Sequence, residues 1–143
     1  MDFRFEMYRQ MFLNLRRGKS KGNYIQAKPI FCLTLLKWME TNSENRIPWG
    51  DSYFTTIYND YYQEFSLAPT PIWKPFFYLS SEPFYSLIWA DNLTSLSESK
   101  ISGKFLRENL RYAKLDDELW ELLQDSKNRE YLKQAIIDQY LKD

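Results

Sequence analysis

Two lysine–proline steps, Lys28-Pro29 and Lys74-Pro75, fix where ordered segments of this chain can begin. Proline locks φ and lacks an N–H, so it fits the first turn of a helix or the first residue of a strand and is resisted elsewhere. Pro29 precedes the apolar run Ile30-Phe31-Cys32-Leu33-Thr34-Leu35-Leu36, which predicts a helix from about Pro29 to Glu40. Pro75 opens the aromatic run Phe76-Phe77-Tyr78, which predicts the start of a strand. A lysine ahead of a helix N-terminus adds charge where unpaired N–H groups already attract anions, a geometry that suits a phosphate. Plain element boundaries with solvated lysines fit the same two steps.

Other segments follow from periodicity. Phe3 to Leu15 predicts a helix with Met7, Met11 and Leu15 on one face. Arg16–Tyr24 contains Gly18, Ser20, Gly22 and Asn23 and predicts a basic loop. A polar stretch, Thr41–Asn45, leads to a third helix capped by Asp51 or Ser52, with Phe54, Ile57, Tyr58, Tyr61 and Phe65 as its core stripe. Ala68-Pro69-Thr70-Pro71 breaks the chain. Phe76–Leu79 and Phe84–Trp89 flank Ser80-Ser81-Glu82-Pro83, the pattern of a β-hairpin. Asp116 and Ser126 start two closing helices, and Asp116, Asp117 and Glu118 sit in a first turn where they favour the dipole. The expected fold is one α+β domain spanning residues 1–143, mostly helical, with a small antiparallel hairpin. Trp49, Trp73 and Trp89 fit core, rim or base-stacking positions equally.

Charge is balanced overall, with 19 basic and 19 acidic residues, but unevenly placed. Leu13 to Lys28 holds five bases and no acid, whereas Leu115 to Asp143 holds eight acids and four bases. The absence of histidine excludes Ser-His-Asp and Cys-His mechanisms and His-ligated zinc. The single cysteine, Cys32, excludes disulfides within the chain and matches a small core residue in a reducing cytosol. The charged N-terminus lacks a signal-peptide pattern, and no apolar run nears the ~20 residues of a membrane span. The expectation is a cytoplasmic protein without a membrane partner, metal or cofactor.

A helix from Ser102 to about Leu115 would carry a basic stripe. At about 100° per residue, Lys100, Lys104, Arg107, Arg111 and Lys114 fall within roughly 80° of arc. Such a stripe can track a phosphate backbone or form a solvated face. Asp91 with Glu98-Ser99-Lys100 supplies the residue types of a Mg²⁺-dependent nuclease. Thr94–Ser99 has the pattern of a loop, though, not the strand such a site needs.

The order of segments carries further information. A basic loop leads to Ala27-Lys28-Pro29 and an apolar helix; Asn45-Arg46-Ile47 and an aromatic helix follow, then Trp73-Lys74-Pro75-Phe76-Phe77-Tyr78-Leu79, Tyr112-Ala113-Lys114-Leu115-Asp116-Asp117-Glu118-Leu119 and a last helix ending Asp138-Gln139-Tyr140-Leu141. Over residues 10–142 this series resembles the DNA-binding domain found ahead of the HNH nuclease domain in modification-dependent restriction endonucleases, including the sulfur-binding domains that recognise phosphorothioate DNA. The resemblance implies that Lys28 is the cation and Pro75 the apolar wall around the sulfur. The sequence departs from the family at Ala27, where histidine is frequent, at Lys74, where a ring is expected, and at Tyr78, where a small residue is expected. These changes make the implied pocket more cationic and less apolar. They bear on sulfur selectivity more than on phosphate binding.

The expected function is therefore a stand-alone module, not an enzyme, that contacts phosphates of duplex DNA, with phosphorothioate DNA as the special case. Lys28, Lys74, Pro75 and Tyr78 form its pocket. Arg16, Arg17, Lys19 and Lys21 in the loop, with Lys104, Arg107 and Arg111, contact the backbone. Any cleavage needs a separate nuclease subunit. The alternative is a scaffold subunit that keeps the fold without binding DNA.

Overall fold

The computed structural model describes residues 2–91, 93 and 96–142. Its centre is a helix apolar on nearly every side. This helix, α2 (Ala27–Trp38), buries ten of its twelve residues, the pattern of an element enclosed by its neighbours. The Phe31 ring meets Phe54, Phe76 and Tyr85 at centroid distances of 5.3, 5.7 and 6.0 Å. Around it stand α1 (Phe3–Phe12), α3 (Ser52–Glu64), α4 (Trp73–Tyr78), α6 (Asp117–Leu122) and α7 (Ser126–Ile136). Cys32 is fully buried in α2, and burial raises its thiol pKa, so it is a packing residue.

Asp51 caps α3 by accepting the Phe54 N–H at 2.9 Å, and the stripe Phe54, Ile57, Tyr58 and Tyr61 is buried with Tyr62. Helix α1 ends sooner than the sequence suggests and turns a different face inward. It buries Phe5, Tyr8 and Phe12, and Met7 is exposed. Three aromatic rings remove more apolar area from water than two methionines, and that difference selects the face. Phe12 stacks on Phe84 at 4.1 Å. The Tyr140 hydroxyl donates to the Phe12 carbonyl at 2.7 Å and accepts the Leu15 N–H at 2.9 Å, pinning the point where the basic loop leaves α1. Trp49, Trp73 and Trp89 are half-buried against the core.

Three expectations are overturned. Residues 73–78 form helix α4, not a strand. Pro75 falls at its third position, where the missing N–H has no intrahelical partner to lose. Phe76, Phe77 and Leu79 are then buried while Lys74 and Tyr78, four apart, share the outer face. Tyr85–Trp89 is a strand, β3, but its partner is remote. It pairs antiparallel with Leu110–Leu115, from Tyr85↔Leu115 to Trp89↔Leu110, across a bulge between Ile88 and Trp89.

That pairing removes the predicted basic helix. The helix present, α5, spans only Gly103–Asn109, and Leu110–Leu115 is a strand, β4. Strand β4 is held from both sides. Ile47 and Ala113 exchange backbone hydrogen bonds of 2.8 and 2.9 Å, and the Asn45 side chain accepts the Leu115 N–H and donates to its carbonyl. These long-range bonds outweigh the helical spacing of the cations. The loop after α1 contains a two-residue hairpin, β1 (Lys19–Ser20) and β2 (Asn23–Tyr24). Lys21 and Gly22 at its tip have φ of 53° and 84°, as a type I′ turn requires.

Candidate functional site

The start of α2, the basic loop before it, the Leu67–Pro71 loop and the start of α4 enclose an open groove of about 1200 Å³. Arg16, Arg17, Lys28 and Lys74 line it, and among the described residues no acid does. The facing wall is apolar: Leu67, Ala68, Pro69, Pro71 and Pro75 with the Tyr62 ring. Tyr62 is buried, and among the described residues its hydroxyl has no hydrogen-bond partner. Gln26 precedes α2 without a side-chain cap, and the first turn itself has no acid, so no side chain of the helix's own first turn covers the positive end that borders the groove.

Lys28 is the most constrained of the cations. Its Nζ donates to Glu82 Oε2 and to Ser81 Oγ, both at 2.9 Å, and the two side chains of the ion pair are only 12% and 4% exposed. Glu82 also accepts the Arg16 backbone N–H at 3.0 Å. A buried carboxylate needs such partners. An ammonium has three donors, so one remains for an occupant of the groove. Glu82 gives no signal in sequence beyond an acid in a turn, yet it ties the basic loop, α2 and the turn before β3 together.

Arg17 also differs from its sequence reading. Its guanidinium lies between the rings of Tyr24 and Tyr140, at 4.1 and 4.5 Å from their centroids, and donates to Gln26 Oε1 at 2.9 Å. Gln26 in turn donates to the Tyr140 carbonyl. Arg17 is thus a clamp holding the hairpin to the C-terminal turn Ile137–Leu141. Lys19 sits over the outer part of this cluster, 4.7 Å from the Tyr24 ring centroid, and Lys21 is exposed at the hairpin tip.

Lys74, Pro75 and Tyr78 line the opposite side of the groove. Lys74 is exposed, 5.8 Å from the centroid of Trp73, and forms no ion pair among the described residues. The Tyr78 hydroxyl donates to Glu98 at 3.0 Å, and partial burial followed by that bond raises its pKa. The structure therefore gathers Arg16, Arg17, Lys28, Lys74, Pro75 and Tyr78 around one groove, with Lys19 and Lys21 on the adjoining hairpin.

It does not bring Lys104, Arg107 and Arg111 to that groove. Lys104 and Arg107 are exposed on α5, and Arg111 on β4 lies 3.8 Å from Asp91. Lys114 pairs with Asp117 at 2.9 Å and Lys100 lies in a separate 3₁₀ turn, Glu98–Lys100. The carboxylates of the Mg²⁺-type residue pattern are engaged differently, Asp91 by Arg111 and Glu98 by Tyr78. Among the described residues no cluster of three metal-ligating side chains occurs; Thr94 and Ser95, within the expected loop, lie outside those residues. No described helix is long and apolar enough to cross a membrane.

No protein-family profile matches the chain, and no curated protein matches it in sequence. Among solved structures it is similar to the sulfur-binding domain of ScoMcrA, solved in complex with phosphorothioated DNA, with a TM-score of 0.70 and 14% identity. The likeness covers 93% of this chain and 86% of that domain. The chain has the fold of that sulfur-binding domain, a mostly helical α+β fold, along nearly its whole length.

Proposed function

We propose that this chain is a DNA-binding module whose groove takes a backbone phosphate of duplex DNA. The observation that carries the proposal is the groove, lined by no described acidic residue, that joins Lys28, Lys74 and Arg16 to the uncapped start of α2. Phosphate oxygens are recognised by such charge-assisted donors and by helix N-termini. The apolar wall of Pro69, Pro71 and Pro75 adds a surface that a sulfur atom, larger and less hydrated than oxygen, would contact at lower desolvation cost. Glu82 withdraws part of the Lys28 charge, which further favours the softer anion. Ala27, buried at the start of α2, and the lysine at position 74 are the departures against which this selectivity is to be measured.

In this reading the module works in the cytoplasm and supplies recognition, while any cleavage comes from a separate nuclease subunit. The ScoMcrA domain, which has the same fold, was solved bound to phosphorothioated DNA, and that supports duplex DNA as the partner. The test is fluorescence anisotropy of a short duplex, with one phosphorothioate or none, across a salt series. A salt-sensitive affinity is expected, with a gain for the phosphorothioate duplex. Equal binding of both duplexes would restrict the module to ordinary phosphate. A lack of binding to either would leave a scaffold subunit that keeps the fold without the DNA site.

A further inference from the structure

One wall of the groove carries polar groups that phosphate binding does not use. Ser20 and Asn23 are cross-strand neighbours in the β1–β2 hairpin. Both are exposed, both line the groove, and neither side chain hydrogen-bonds to another described residue. Cations stand on either side of them: Lys19 and Lys21 on the hairpin itself, Lys28 and Lys74 around the groove. An uncharged amide and hydroxyl between phosphate-holding cations add little to backbone attraction. They are suited to distinguishing one base edge from another.

The hairpin is built to hold them still. Its type I′ turn leaves a two-residue loop, and the Ile25 N–H donates to the Gly18 carbonyl at 2.8 Å to close its base. The Arg17 guanidinium between Tyr24 and Tyr140 fixes it to the body. A two-stranded ribbon fits the major groove of B-DNA, which is about 12 Å wide. A mobile loop would have to be ordered on binding, at a cost this brace removes.

We propose that the β1–β2 hairpin is the sequence-reading element of the module. Asn23 presents its amide to a base edge in the major groove and Ser20 its hydroxyl to the neighbouring base. Adenine is the base whose N6 and N7 match a bidentate amide. This rests on the DNA-binding reading of the groove, and it assigns a role distinct from holding the phosphate.

The test is selection from a pool of duplexes with randomised positions, read by sequencing, for the unmutated chain, for Ser20→Ala with Asn23→Ala, and for Asn23→Gln. The unmutated chain is expected to enrich adenine at one position. The double alanine variant should flatten that preference by several-fold to about a hundredfold, the range of a bidentate base contact. Its affinity for random duplex and its salt slope should stay within about twofold of the original, a control that the hairpin remains folded. Asn23→Gln keeps the amide but moves it, so it should shift the preferred base or position. Binding without sequence preference, or preference that survives the alanine substitutions, overturns the proposal while leaving the phosphate reading intact. Absence of duplex binding by the unmutated chain overturns both.

Discussion

Two regions of this molecule carry clusters of positive charge in the sequence, and folding treats them in opposite ways. Around the groove, Arg16 and Lys28 from the basic segment ahead of α2 converge with the distant Lys74 of α4 on a surface that no described acidic residue lines. On α5 and β4, Lys104, Arg107, Arg111 and Lys114 are neighbours in sequence, yet they are dispersed, and two of them face carboxylates. The difference lies in the backbone. A basic stripe on one helix depends on every residue keeping the helical rotation, and the change to strand at Leu110 ends it. A groove between helix ends depends only on where those ends are packed, and the apolar core of α2 and α4 fixes that.

The largest expected effect breaks the groove side of this comparison. Replacing Lys28 and Lys74 by alanine should weaken duplex binding about 10- to 100-fold in anisotropy titrations. The slope of log affinity against log salt should become shallower by about 1.8, the value for two phosphate contacts. Next comes Glu82→Gln. Loss of the buried carboxylate should lower stability by about 1–2 kcal/mol in urea unfolding. Freed of its counter-charge, Lys28 should then bind plain duplex several-fold more tightly and steepen the salt slope. An unchanged slope would show that Glu82 does not restrain Lys28.

A smaller effect is expected from the other region. Joint alanine substitution at Lys104, Arg107 and Arg111 should alter duplex affinity less than about threefold, as exposed or ion-paired cations outside the contact do. A loss as large as that at the groove would join the two regions into one interface. The smallest effect is at Lys21. Asparagine tolerates the left-handed conformation better than lysine, so Lys21→Asn should stabilise the hairpin by a few tenths of a kcal/mol while removing one rim charge. Thermal unfolding and the salt slope would report the two changes separately.

Much of the groove was legible in the sequence because its parts are local signals. The acid-free basic segment, the first-turn position of Pro29, the cap at Asp51 or Ser52 and the Ala68–Pro71 break each follow from the chemistry of a few adjacent residues. Glu82 was not legible as a partner of Lys28, since 54 residues separate them and an acid in a turn is ordinarily solvated. Nor was the clamp of Arg17 between Tyr24 and Tyr140, which needs the last turn of the chain to pack beside the first loop.

The sequence by itself determined the central helix with Pro29 in its first turn, the α3 stripe, and the concentration of positive charge before α2. These depend on side-chain volume, backbone dihedrals and charge within one or two turns. Only the tertiary structure decided that residues 73–78 are helix, that Leu110–Leu115 is a strand against Tyr85–Trp89, and that Lys28 and Lys74 meet at one groove. Pairing partners and burial are long-range quantities, and where they conflict with a local pattern the larger energy of the shared core prevails.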